Sequence, residues 1–339
     1  MDLSEFDYTL PEELIAQTPL ADRAASRMLV VDRARGSWED RQFRDLPSFL
    51  GPGDCLVLND SRVFPARLFG RRAGRNGEVE VLLLRPADSA AREWEALVHP
   101  GKKMRVGERV LFGEDFEAEV IARREFGERT LRFAGVRDVH EEFEKIGHVP
   151  LPPYIKRQDQ AADRERYQTV FARERGSAAA PTAGLHFTPA VLDACRARGA
   201  DIAFVTLHVG LGTFQPIHEG RIEGHSLHTE RYRIVADNAA RMSAARRLVA
   251  VGTTSVRTIE SAMRRGGLRE SIGETDIFIY PPFDFRATGA MLTNFHLPRT
   301  SLMLLVCAFA GKDLALAAYR HAVERRYRFY SYGDCMLIV

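Results

Sequence analysis

The chain has 339 residues, 45% of them hydrophobic, enough to bury a full core and to form two or three domains. Its 48 Lys plus Arg against 46 Asp plus Glu leave a formal net charge of +2, so overall charge predicts no nucleic-acid partner. Four scattered cysteines without a C-x-x-C pair, an acidic start (MDLSEFDYTLPEE) and an apolar maximum of only Leu302 to Ala310 argue against a disulfide framework, a secretory leader and a membrane span. They predict a cytoplasmic protein with no membrane partner.

In chain order, Leu10 to Ala16 is expected to form a short helix, with Pro11 in its first turn and acids where the helix dipole favours them. Ser26 to Asp32 and Asp54 to Leu58 are strand candidates, the second ending in the polar cluster Asn59, Asp60, Ser61 and Arg62. From Val63 to Gly135 short alternating runs separated by Gly, Asn and charges predict a small all-β barrel or sandwich. An amphipathic helix over 138–146 follows, and Pro150, Pro152 and Pro153 then mark a domain boundary.

Beyond the prolines helices and strands alternate. Thr188 and Pro189 start a helix to about Arg198, Ile202 to Leu207 is a buried strand, and Asp237 caps a helix to Arg247. A strand over 248–251, a helix over 254–264 and a strand over 276–280 are expected next. Two helices, from Thr300 and over 312–325, precede a closing strand over 335–339. The fold class predicted is an α/β main domain with a helix-covered sheet (1–62 and 149–339) plus an inserted small β-barrel domain (63–148).

Three loops of small and polar residues interrupt this buried sequence, and each carries one histidine. They are Gly176 to Thr188 with His186, Thr206 to Phe214 with His208, and Thr293 to Pro298 with His296. Neutral imidazole is the side chain best suited to moving a proton near pH 7, so three such loops predict the walls of one enzyme site. Gly184 precedes a His–aromatic pair, which suits a loop lying flat on a ligand. Gly210, Gly212 and Thr213 lack the third glycine and the immediate helix of a dinucleotide fingerprint, leaving a backbone nest at a strand end. Thr253, Thr254 and Ser255 with Arg257 open a helix after a strand and suit either an anion or plain capping. His225 and His228 lie three apart near Glu230, but no further metal-type ligands accompany them, and no metal is expected. Only five basic residues are lysine; the arginine excess fits phosphate recognition, a GC-rich genome or a warm habitat equally.

The strings GDCLVLNDSRVFPARL, GSAAAPTAGLHFT, HVGLGTFQPI, VAVGTTSVRTIE, TDIFIYPPF, TNFHLP and YRFYSYGDCMLI together resemble the S-adenosylmethionine:tRNA ribosyltransferase-isomerases of the queuosine pathway, in order and along the whole chain. Gly289 departs from the pattern, where an acid commonly precedes TNFHLP. The resemblance implies an α/β domain with an inserted β-barrel. It also implies an enzyme that moves the ribosyl part of S-adenosylmethionine onto 7-aminomethyl-7-deazaguanine at the tRNA wobble position. Epoxyqueuosine would form with release of adenine and methionine. No cofactor is implied, S-adenosylmethionine being a consumed co-substrate, and a monomer is the default.

On that chemistry the proton carriers are expected among His186, His208, His296 and Glu230. Phe187, Phe214 or Tyr332 would hold the sulfonium by cation–π attraction, and Thr253, Thr254, Ser255 and Arg257 the methionine carboxylate. Asn59, Asp60, Ser61 and Arg62 would face the interdomain cleft, with Thr182, Gly184, Gly210, Gly212, Thr213 and Asn294 supplying loop contacts to substrate. Arg71, Arg72, Arg75, Lys102, Lys103 and Arg105 on the insertion are the expected tRNA phosphate contacts. Two alternatives remain at this point: an S-adenosylmethionine-dependent tRNA methyltransferase, and a non-catalytic RNA-binding protein. The first would want a glycine-rich loop after an early strand, which SRMLVVDRARG does not supply.

Overall fold

The computed structural model describes residues 1–124, 127–210, 217, 222–225 and 227–339. The acidic start forms two 3-10 turns, Leu3–Phe6 and Glu12–Leu14, in place of the helix expected over 10–16. Ile15 bridges to Phe329 instead, so tertiary pairing takes the backbone that a helix would have used. Four strands follow: β1 (Arg27–Asp32), β2 (Ser37–Gln42), β3 (Asp54–Asn59) and β4 (Ser61–Val63). Next come β5 (Arg67–Arg72), β6 (Glu78–Pro86), β7 (Glu93–His99), β8 (Arg109–Leu111), β9 (Glu117–Arg123) and β10 (Glu128–Ala134). These six close into a barrel in the order β10-β7-β6-β5-β8-β9. The short alternating runs thus become strands that send every second side chain inward. Helix α1 (Val139–Ile146), capped by Asp138, packs Val139 and Phe143 into the barrel core.

The rest of the chain supplies α2 (Asp163–Arg166), β11 (Glu174–Ser177), α3 (Pro189–Ala197), β12 (Asp201–Leu207), β13 (Glu230–Ile234) and α4 (Ala236–Ala244). It continues with β14 (Arg247–Val251), α5 (Thr253–Arg264), β15 (Ser271–Thr275), β16 (Thr288–Asn294), α6 (Ser301–Ala310), α7 (Lys312–Glu324) and β17 (Cys335–Ile338). Nine of these strands form one mixed sheet in the order β15-β13-β12-β3-β14-β16-β17-β1-β2. Its centre, β12-β3-β14-β16, is parallel, while β13, β15 and β17 join antiparallel. β1 and β3 do belong to this main sheet, as the sequence predicts.

Thr188 and Thr300 cap α3 and α6 through their hydroxyls, and Asp237 falls inside the first turn of α4 instead of at its cap. The strand expected over 276–280 is displaced to Ser271–Thr275, and β16 arises from a segment not predicted as strand. For β16 the anchor is Glu260. Its buried carboxylate accepts the amides of Arg286, Ala287 and Thr288 and the Thr288 hydroxyl, and pairs with Arg264. That clamp starts β16 at Thr288 from a position 28 residues upstream.

Two buried cores face the sheet's two sides, one under α4, α5, α6 and α7 and one under α3. Among the described residues no single helix is long and apolar enough to cross a membrane.

Candidate functional site

All four parallel strands end on the same sheet edge, at Leu207, Asn59, Val251 and Asn294, where ligands of open α/β sheets bind. The residues after each strand are the loops that the sequence singles out. Thr182, Ala183, Val209, Gly252, Thr253, Thr254, Asn294 and His296 therefore line one narrow cavity of about 40 Å³, closed by Tyr154, Tyr330 and Ser331. Val209 is shared with a wider cleft of about 670 Å³ between the sheet and the barrel. His208, Gly210 and Glu230 line the cleft on one side, and Leu84, Arg85, Leu97 and Arg124 of the barrel on the other.

The three histidines meet different fates. His186 is buried; Nδ1 faces Ser26 Oγ at 2.9 Å and Nε2 faces Asn294 Oδ1 at 3.3 Å. Because Asn294 donates its amide to the Tyr330 carbonyl, its oxygen must accept, which assigns the proton to Nε2. Burial pushes this imidazole down to about 4. His296 is also buried, with Nε2 on Thr293 Oγ1 at 2.8 Å, its N–H donated to Tyr319 Oη and its carbonyl accepting from Tyr8 Oη. Burial lowers it to about 3.

Of the three, His208 is the one with a buried ring nitrogen that has no hydrogen-bond partner among the described residues: Nδ1, on a ring that lines the cleft. Burial lowers its pKa too, so it is neutral and proton-accepting at pH 7. Gly176 makes room for it: at φ +137°, a Cβ there would stand 3.0 Å from the ring.

Glu230 is committed at both oxygens. Oε1 accepts the Gly210 amide at 2.9 Å and Oε2 meets Arg257 Nη1 in an ion pair whose side chains are each 4% exposed. Both carboxylate oxygens are thus engaged within the protein, and an arginine so paired is a poor open clamp. Arg257 Nη2 nevertheless stays buried without a partner among the described residues. Ser255 spends its hydroxyl on the Val251 carbonyl at 2.8 Å, so it is turned away from the site. Thr253 and Thr254 stay at the cavity wall, on the first turn of α5, whose cap, Gly252, has no side chain to satisfy the leading amides.

Several expected contacts are corrected by packing. Phe187 is wholly buried, edge-on to Phe43 and Phe171, and Tyr332 is buried with its hydroxyl on Asp163 at 2.9 Å. Neither ring is available to a sulfonium. Gly184 admits Phe171 and Thr169, which would lie 2.8 Å from a Cβ, and not a ligand. Asn59 ties strand ends together through the Leu207 amide and carbonyl and Thr254 Oγ1. Asp60 is buried and accepts from Thr206 Oγ1 at 2.7 Å; burial raises its carboxyl. Ser61 Oγ is buried without a partner among the described residues, and Arg62 is exposed on β4. Gly212, Thr213 and Phe214 lie outside the described residues. Tyr330, from the aromatic stretch Tyr327 to Asp334 that suits either core packing or a stacking surface, meets Tyr154 at the narrow cavity, with ring centroids 3.9 Å apart. Tyr154 was not singled out by the sequence, because it looks like part of a proline connector.

On the barrel, Arg71 and Arg75 are exposed, while Arg72 pairs with Glu108 at 2.7 Å. Hydrogen bonding to Arg72, with Arg75 and Arg105 nearby, holds that glutamate low. Lys102 and Lys103 are exposed on a 3-10 turn, which buried Arg129 fastens through the Gly101 and Met104 carbonyls.

The family model described as queuosine biosynthesis protein matches residues 3–338. The chain is 69% identical over 355 residues to an S-adenosylmethionine:tRNA ribosyltransferase-isomerase of Solibacter usitatus (strain Ellin6076), and 52% identical over 345 residues to one of Symbiobacterium thermophilum, each covered in full by the full chain. A crystal structure of S-adenosylmethionine tRNA ribosyltransferase from Thermotoga maritima matches at TM-score 0.57 and 39% identity, over 99% of this chain and 100% of that one. With its histidine loops gathered on one sheet edge beside an inserted barrel, and this likeness along its whole length, the chain belongs to the queuosine biosynthesis protein family.

Proposed function

We infer that the chain is an S-adenosylmethionine:tRNA ribosyltransferase-isomerase. It transfers and isomerises the ribosyl moiety onto 7-aminomethyl-7-deazaguanine at the tRNA wobble position, and yields epoxyqueuosine, adenine and methionine. It acts as a monomer without a resident cofactor. The observation that carries this reading is the pair of adjoining cavities, one narrow and one nucleoside-sized, with the His208 ring, whose buried Nδ1 has no hydrogen-bond partner among the described residues, on the wall of the wider one.

His208 is the base. It removes the acidic proton from the carbon beside the sulfonium, which lets the ribose open and expel adenine, or it deprotonates the attacking ammonium. Positioned proton transfer of this kind is worth about 10²–10⁴-fold in rate. His186 and Glu230 are positioning residues: the first holds Asn294 and with it the Tyr330–Ser331 loop, and the second holds Gly210. His296 orients Thr293 on the cavity wall. The Thr253 and Thr254 amides at the start of α5, on the wall of the narrow cavity, suit the methionine carboxylate, at about 0.3–1 kcal/mol from the helix dipole. The Tyr154–Tyr330 pair suits the sulfonium, at about 0.5–2 kcal/mol. Arg71, Arg75, Lys102, Lys103 and Arg105 supply long-range phosphate attraction.

The test is adenine release. Purified protein with S-adenosylmethionine and tRNA carrying the aminomethyl base should liberate adenine and methionine together, with labelled methyl retained in the methionine. Intact S-adenosylmethionine with folded protein would overturn ribosyl transfer, and label on the tRNA would make the protein a methyltransferase.

A further inference from the structure

Among the described residues the main sheet is covered on both faces at its parallel centre but on only one at its antiparallel edge, β13 and β15. Tyr232 and Ile234 of β13 turn into the core beneath α4 and α5. On the other face the register sets Arg233 beside Thr206 and Ile272, and Arg231 beside Glu274. Among the described residues no element folds over them: both arginines are exposed, and Ile272 is 83% exposed, the most open large hydrophobic.

This open face is continuous with the reaction cleft. Thr206, Arg231, Arg233 and Ile272 line the 670 Å³ space together with His208. Moving away from the cleft along β12, Phe204 lies two residues before Thr206 on the same face, with the Arg173 guanidinium 4.7 Å above its ring. A second hollow of about 420 Å³ follows, lined by Arg173 and Arg241 together with Asp201 and Asp237. Arg173, Arg233 and Arg241 are exposed and form no ion pair among the described residues.

The barrel rim of the same cleft is different. Arg85 and Arg124 are both spent on Glu95, at 2.6 and 3.1 Å. A wobble base that enters the cleft brings a phosphate backbone over one rim or the other. Among the described residues that line the cleft, Arg233 on the sheet rim is the arginine in no ion pair, with Arg173 and Arg241 beyond it at the second hollow, and forked guanidinium groups suit phosphate oxygens.

We propose that the open face of β13 and β15, together with the hollow that Arg173 and Arg241 line beside the start of β12, is the docking surface for the anticodon loop of the tRNA. Arg233, Arg173 and Arg241 take backbone phosphates, and Ile272 packs against a sugar or base at the cleft mouth. The proposal rests on the ribosyl-transfer reading and adds the path by which the base reaches His208. It leaves the barrel arginines and lysines as contacts to a more distant part of the tRNA.

The experiment compares three proteins: the wild type, the triple variant Arg173→Ala, Arg233→Ala, Arg241→Ala, and a charge-matched control, Arg35→Ala, Arg41→Ala, Arg44→Ala, near the opposite edge of the sheet. Adenine release is measured against tRNA concentration, and tRNA binding against salt. The face variant should raise the KM for tRNA by about tenfold or more with kcat at saturating tRNA retained. Its log–log salt slope should be shallower by about 2, the loss of three single-strand contacts. The control should match the wild type, and replacement of the same three by lysine should restore most of the slope.

An active wild type with an unchanged KM and slope in the face variant overturns the docking surface and leaves ribosyl transfer standing. A wild type that releases no adenine defeats the underlying reaction instead. If Ile272→Asp dissociates a dimer in sedimentation and leaves the KM for tRNA unchanged, the face is a subunit contact and the proposal falls.

Discussion

Among the three histidines, the residue types were legible in the sequence and their division of labour was not. A histidine amid small residues looks the same whether its nitrogens are spent or free, because hydrogen-bond partners such as Ser26 and Asn294 lie 160 and 108 residues from His186. The geometry makes distinct forecasts. His208→Ala should lower kcat by about 10²–10⁴-fold with tRNA affinity and melting temperature near wild type. Its loss should also remove the acid limb of the kcat/KM profile, which lies below the usual histidine range because burial lowers this group. His186→Gln, which can still donate to Asn294, should keep the limb and most of the rate, whereas His186→Ala should lose stability and rate together. A His208→Ala enzyme with near-normal turnover would remove His208 as the base. Gly176→Ala tests the same ring from its neighbour. An added methyl 3.0 Å from His208 at φ +137° should cut kcat severalfold or more, with tRNA binding unaffected.

At the level of elements, what periodicity governs was read well and what distant clamps govern was not. The barrel strands, α3, β12, α5, α6, α7 and β17 follow from alternation, caps and apolar stripes carried in their own residues. β16 does not, because its start depends on Glu260 in α5. Burial alone would raise this carboxyl, yet the four hydrogen bonds from residues 286–288 outweigh it and hold the group below its ordinary value. A group with a depressed folded pKa contributes stability above its unfolded value and loses it as pH falls further. Glu260→Gln keeps the shape but cannot accept four donors at full strength and leaves Arg264 unpaired. Chemical denaturation should show a loss of about 2–4 kcal/mol. The clamp sets the strand that ends in Asn294, so activity should fall with stability. A variant as stable as wild type would show that β16 is held by its sheet neighbours alone.

At the scale of the whole molecule, two imidazoles locked inside the α/β core make acid stability a property of the active-site architecture. His186 and His296 are pushed to about 4 and about 3 in the folded protein, against about 6.5 when unfolded. Between those values the unfolded chain binds protons that the folded one refuses. Stability therefore rises with pH across roughly 4 to 6.5, and unfolding in that window takes up protons at both rings, with His208, also lowered by burial, adding in the same direction. Asp60 opposes this weakly, because burial raises its carboxyl and so favours the folded state toward acid. The carboxylates held low, such as Glu260, act in the same direction as the histidines but below about 4.5, so the slope between pH 5 and 6.5 belongs to the imidazoles. Denaturation midpoints measured from pH 4.5 to 7.5 should fall steadily below about 6.5, and His296→Gln should make that slope measurably shallower. A midpoint flat over the interval would mean that the two rings take protons in place. Their hydrogen bonds to Asn294 and Thr293 would then not be the ones that shape the cavity. The sequence could not show this, since a histidine's burial is set by the tertiary wall around it: Phe43 and Phe187 on one side of the sheet, Tyr8 and Tyr319 on the other.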